Sequence, residues 1–168
     1  MSIRTWVGPV LAIALSARAD QDQAAKDGST FKSDAWHFSM TPPSFSTDAR
    51  TPSTLIVQFY GPAQDGFSPN INVIAQRVPF EKFLAATDQQ LLVKPFELVS
   101  KNGTKVGAHA ACEYVYKGEL QGMRMKFVAL AIDATDHVLL ATGTCTEEQF
   151  AAQEPIFKAS LASLKLEE

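Results

Sequence analysis

Three successive β-type runs, residues 108–117, 123–132 and 137–144, constrain this fold more than any other feature, because only a few residues separate them. A parallel pair needs a crossover of a dozen residues or more, so connections this short join antiparallel neighbours. Centring the turns near Gly118–Gly122 and Ala134–Asp136 gives a meander in which Cys112 faces Val128 and Val128 faces Ala141. In that register Tyr114 lies across from Lys126 and Tyr116 across from Arg124. One sheet face then carries a Tyr/Lys/Arg cluster, and Val115, Met125, Phe127, Ala129, Val138 and Leu140 make the other face apolar. The cluster reads either as cross-strand packing with cation–π contacts or as a partner-binding patch built from Tyr114, Tyr116, Arg124 and Lys126.

The segments around this meander extend the sheet and add two helices. Residues 36–40 read as a short strand ended by Thr41-Pro42-Pro43, and residues 44–53 read as loop. Residues 54–60 and 71–77 read as a pair of strands around a loop holding Asp65, Gly66 and Pro69. Phe80, Phe83, Leu84 and Leu91 recur at helical spacing, which predicts a helix over 80–92 with Pro79 at its start. From Phe96 the pattern is β again, and Asn102-Gly103 predicts a two-residue hairpin turn. Asn102-Gly103-Thr104 also matches a glycosylation acceptor, but the turn is the preferred reading. Near the carboxyl end Thr146 and Gln149 are spaced as a capping box, and Phe150, Phe157, Leu161 and Leu164 form an apolar stripe. Pro155 within that stripe predicts a kink or a split near Glu154. The result is an α+β domain: an antiparallel β-sheet of about six strands with helices on its faces.

The amino end fixes the expected compartment. Arg4 precedes an apolar run from Trp6 to Ser16, too short to span a bilayer, and Ala17-Arg18-Ala19 supplies the small residues of a cleavage site. Residues 1–19 therefore read as a signal peptide and 20–30 as a flexible polar leader. The domain occupies 31–168. No cysteine stands at the cleavage site, so no stable membrane anchor is expected. With Arg4 and Arg18 removed, fifteen basic residues fall by two against eighteen acidic ones, and net charge moves from −3 to −5. Such a balance argues against nucleic acid, whose phosphates call for Lys and Arg.

The residue types that do chemistry are scattered. The three histidines lack i, i+4 spacing and a CxxC partner, so no metal is expected, and no phosphate-binding glycine loop or dinucleotide fingerprint suggests a cofactor. His109 and Cys112 differ by three positions on one strand, which sends them to opposite faces and argues against a Cys–His nucleophile. An exported chain permits a Cys112–Cys145 disulfide, yet the meander separates the two by roughly 16 Å, beyond the ~7 Å reach of a bridge. Buried free thiols are the alternative.

Two stretches resemble the PsbP-like family, which includes thylakoid-lumen, bacterial-envelope DcrB and mycobacterial LpqN-type members. They are Gly66-Phe67-Ser68-Pro69-Asn70-Ile71-Asn72-Val73 and the end from Phe150 through Glu154-Pro155-Ile156-Phe157 to Ser163-Leu164, with Trp36 to Phe45 fitting as well. The resemblance runs from about residue 31 to 166 and implies an α/β/α sandwich that tolerates a proline in its last helix. It also implies a non-enzymatic accessory or assembly protein that binds a protein partner in the envelope or outside the cell. A carrier for a small apolar molecule or lipid, held in a cleft between sheet and helix, is the alternative.

Overall fold

A computed structural model describes residues 30–50 and 55–167. The expected signal peptide and all of the leader but its last residue lie outside that range. The chain forms β1 (Phe31–Ser33), β2 (Phe38–Met40), β3 (Asp48–Arg50), β4 (Val57–Tyr60) and β5 (Asn70–Gln76), then α1 (Phe80–Leu91). The meander β6 (Phe96–Val106), β7 (His109–Leu120), β8 (Met123–Asp133) and β9 (Val138–Thr146) follows, and α2 (Phe150–Ala162) and β10 (Lys165–Leu166) close the fold. Seven strands form one antiparallel sheet in the order β3-β4-β5-β9-β8-β7-β6, and β1-β2-β10 form a small second sheet. The expected α+β architecture is present, with β3 formed where the sequence reads as loop.

The turns decide the register, and three of them differ from expectation. Asn102 and Gly103 are not a turn; they lie inside β6, paired with Glu113 and Cys112. The hairpin reverses instead at Gly107-Ala108, where Gly107 takes a φ of 59° and Val106 pairs with His109. Glycine at the first central position suits a tight hairpin, and this choice lets β6 pair along its whole length, from Val106 back to Phe96 opposite Gly118. The next reversal is Gln121-Gly122, with φ of 52° and 78°, the left-handed pair that a type I′ turn requires. Cys112 therefore faces Ala131, three residues from the expected Val128. An odd slip inverts the faces, because side chains alternate with a period of two. The last turn leaves Val128 opposite Gly143 instead of Ala141, an even slip that keeps them.

Each sheet face has its own core. On one face Val57, Phe59, Ile71, Val73, Val115, Val128, Leu130, Ile132 and Leu139 meet Phe157, Leu161 and Leu164 of the carboxyl-terminal segment and Phe38 and Met40 of the small sheet. On the other face Met125, Phe127, Ala129, Val138 and Leu140 meet Phe80, Phe83 and Leu91 of α1, so Val115 points away from the five residues it was grouped with. Gly143 lies beneath Phe157, where an added Cβ would stand 2.6 Å from the ring. Helix α2 runs unbroken through Pro155. Both Pro155 and Ala151, whose carbonyl loses its intrahelical donor, are exposed, so water can take that acceptor. The predicted box precedes the helix: Gln149 N–H donates to Thr146 Oγ1 at 3.4 Å and Thr146 N–H donates to Gln149 Oε1 at 3.1 Å.

Candidate functional site

The three-residue slip dissolves the Tyr/Lys/Arg cluster. Tyr114 faces Ala129 and Tyr116 faces Phe127, while Lys126 faces Lys117 and Arg124 faces Glu119. Both tyrosines are only 1% exposed. Tyr116 stacks on Phe127 with centroids 4.5 Å apart, and Tyr114 O–H donates to Asp88 Oδ1 of α1 at 3.2 Å. Asp88 is also held by Lys101 Nζ at 2.6 Å. Burial pushes both phenols well above the ordinary tyrosine range, so they stay neutral anchors of the α1 interface. Lys126 and Arg124 belong to the opposite face. Lys126 Nζ lies 4.5 Å from the Phe150 ring centroid, and Arg124 reaches Glu148 at 3.1 Å and Glu147 at 3.5 Å. The four residues form no common surface.

The two thiols are held inert. Cys112 and Cys145 are free, and Cys112 lies on the α1 side while Cys145 lies on the α2 side. Burial raises both thiols, Cys145 to about 12, which disfavours the nucleophilic thiolate. His109 Nδ1 is spent on the carbonyl of Asp133 at 2.9 Å. His137, wedged against Trp36, pairs through Nδ1 with Asp136, and that hydrogen bond holds the Asp136 carboxyl below its usual range. Among the described residues no three His, Cys, Asp or Glu side chains come together as a metal site.

A different set of residues stands out on the α1 side. Two cross-strand rows traverse this face. One runs Gln58–Asn72–Thr142–Ala129–Tyr114–Lys101 and the next runs Tyr60–Asn70–Thr144–Phe127–Tyr116–Leu98. Their β6–β8 halves are largely small or aromatic and meet α1, whose main contact is with β6. Their β4, β5 and β9 halves are amides and hydroxyls: Gln58, Asn70, Asn72, Thr142 and Thr144, all buried. Gln58 Nε2 donates to Asn70 Oδ1 at 3.2 Å and Asn70 Nδ2 donates to the Ser68 carbonyl at 3.1 Å. Gln58 Oε1 has no partner, and among the described residues the side chains of Asn72, Thr142 and Thr144 make no hydrogen bond. Half-buried Tyr60 and Phe67 stand at the margin, and Phe67 is fixed where Gln149 Nε2 donates to the carbonyls of Gln64 and Phe67 at 3.2 and 3.4 Å.

Sequence reading passed over this array because Asn70-x-Asn72 and Thr142-x-Thr144-x-Thr146 look like solvent-facing alternation. The available signal was their coincidence on strands whose other residues, Ile71, Val73 and Ala141, are apolar. Burial of both faces appears only once β5 and β9 take central positions in the sheet.

No protein-family model matches the chain, and no curated protein matches it. Solved structures do. LpqN of Mycobacterium tuberculosis, involved in cell envelope biogenesis, superposes with a TM-score of 0.61 at 12% identity, covering 85% of this chain and 87% of LpqN. Cyanobacterial PsbP (CyanoP) of Synechocystis sp. PCC 6803 gives 0.61 at 8% identity over 88% of this chain and 98% of its own. A Pseudomonas aeruginosa protein of unknown function gives 0.58 at 17% identity over 80% and 94%. Strand order, the helices on opposite faces and these superpositions agree: the chain has the PsbP-like fold.

Proposed function

We propose that this chain is an exported accessory protein of the cell envelope that works by binding and not by turning over a substrate. The observation that carries the reading is the array of buried, partly unpaired amides and hydroxyls on β4, β5 and β9. Gln58 Oε1 is buried without a partner, which costs about 1–3 kcal/mol, and the Asn72, Thr142 and Thr144 side chains beside it make no hydrogen bond among the described residues, so this surface makes a poor core and a better binding floor. The buried, protonated thiols and the hydrogen-bonded His109 support binding over catalysis, and the envelope association of LpqN supports the compartment. Among the described residues no helix is long and apolar enough to cross a membrane.

Two measurements test this. Expression of the full chain in a bacterium with export machinery yields, on this reading, an envelope or medium fraction whose product begins at Asp20. An intact product retained in the cytosol sinks the export claim. Immobilised protein retains an envelope component that the Asn72→Leu/Thr142→Val variant does not; identical recovery on both removes the floor as the binding surface.

A further inference from the structure

We propose that the free edge of β6 is a second docking site, separate from the floor, that takes an extended acidic segment of another protein as an added β-strand. β3 and β6 end the seven-stranded sheet, and they differ in what they expose. β3 has three residues, with Asp48 and Arg50 joined to each other, whereas β6 has eleven. The closing pair of a two-residue hairpin, here Val106 and His109, exchanges both backbone hydrogen bonds, and alternate pairs along the ladder do the same. Thr104, Asn102 and Ser100 therefore spend their backbone groups on β7, and Lys101, Gly103 and Lys105 direct theirs outward. Residues 101–105 are all exposed, and Gly103 stands in open space, where an added Cβ would meet nothing within 4 Å. An open edge of this kind accepts another strand through main-chain hydrogen bonds.

The side chains select the occupant. Lys101 and Lys105 flank Gly103 on the α1 side; Lys101 is shared with Asp88, and Lys105 has no ion-pair partner among the described residues. In an antiparallel pairing with a second copy, every register that joins the outward groups sets a lysine of one copy opposite or diagonal to a lysine of the other, which is unfavourable. Asp or Glu at the matching positions makes the same contacts attractive. Toward the other end of β6, Val99 breaks the register and is 54% exposed. Leu92 and Val93, 80% and 64% exposed, stand beside that end, where Phe96 N–H donates to the Val93 carbonyl at 3.2 Å. These are three of the four large apolar side chains exposed among the described residues, so the fitting segment is acidic where it meets Lys101 and Lys105 and apolar where it meets Val99.

The test is fluorescence anisotropy of a labelled peptide, Glu-Thr-Val-Thr-Glu-Thr-Ile-Val, titrated with the full chain. Laid antiparallel to β6, its two glutamates face Lys105 and Lys101 and its Ile-Val end reaches Val99. Saturable binding is expected, about tenfold weaker when lysine replaces both glutamates and about tenfold weaker when the third and fifth peptide nitrogens are methylated. Gly103→Pro removes one outward N–H while leaving the β7 ladder whole, so it keeps the wild-type Tm and loses about tenfold in affinity, whereas Gly103→Ala binds as the wild type does. Asn72→Leu/Thr142→Val leaves peptide binding unchanged, because the floor lies on other strands; a parallel loss there would show that the two surfaces are one. No saturable binding, or equal binding by the methylated peptide and by Gly103→Pro, overturns the docking site. A wild-type dimer in sedimentation that Gly103→Pro makes monomeric assigns the edge to a second copy and overturns the acidic partner.

Discussion

The two faces of the seven-stranded sheet obey different rules. Beneath α2, strand residues such as Val57, Ile71, Val128 and Leu139 are aliphatic and fully buried, and Cys145 among them is a thiol that behaves as a small hydrophobe. Beneath α1, half the face is as dry, but the half on β4, β5 and β9 buries Gln58, Asn72, Thr142 and Thr144 with hydrogen-bonding capacity unfilled. The first face holds the fold together. The second gives up stability locally, and that is where a ligand would restore it.

The comparison is easiest to break from the α2 side. Phe157→Ala removes a fully buried ring from over Gly143 and the small-sheet residues, and should cost about 3–5 kcal/mol in urea unfolding. A loss under about 1 kcal/mol would mean that this face is not the stabilising one. Gly143→Ala tests the same contact from below. Its added Cβ meets Phe157 at 2.6 Å, so about 1–3 kcal/mol of overpacking is expected. Combining it with Phe157→Leu, which gives the methyl room, should make the pair less destabilised than the sum of the singles.

What the residues disclosed in advance follows the same division. The helix expected over 80–92 is found at Phe80–Leu91, the Thr146/Gln149 box forms, and Phe150, Phe157, Leu161 and Leu164 are all buried, because these features depend on local spacing. Register was not legible. Asn102-Gly103 and Gly107-Ala108 are both competent turns in isolation, and only the length of pairing gained by β6 selects the second. Likewise, nothing within six residues of Tyr114 says that its partner is Ala129 and not Lys126; the I′ turn at Gln121-Gly122 settles that. The polar floor was hidden for a related reason. Asn72 and Thr142 announce a wet face by type, and their burial is a property of the assembled sheet.

An intermediate effect reads the burial of the α2 face by pH. Cys145 ionises near 9 when unfolded and near 12 when folded, because burial penalises the thiolate. The unfolded chain thus loses its proton first, so this contribution to stability is complete below about 9 and declines as pH rises toward 12. Tyr114 and Tyr116, both raised, add to the decline from above 10 on the other face. Cys145→Ala should make the decline between pH 9 and 10 shallower, what remains there coming from the raised Cys112 thiol on the α1 side, and leave the steeper limb beyond. A curve unchanged in that first interval would show that Cys145 is not shielded as its position on the α2 face requires.

The smallest expected effect is the most telling. Thr142→Val keeps the shape of a side chain that makes no hydrogen bond among the described residues, exchanging a hydroxyl for a methyl beside Asn72 and Ala129. At an ordinary core position with a satisfied hydroxyl the exchange would cost about 1 kcal/mol or more, because the partner would be stranded. Here the change should lie between zero and about 1 kcal/mol of added stability. The matched exchange Val128→Thr, on the α2 side and one residue from Ala129, should cost about 1–3 kcal/mol by burying a hydroxyl among aliphatic groups. Opposite signs for these two substitutions, read in the same urea titration, are what the division between the faces demands. Equal losses would show that the floor's hydroxyls are already satisfied and that the polar half of the α1 face is simply part of the core.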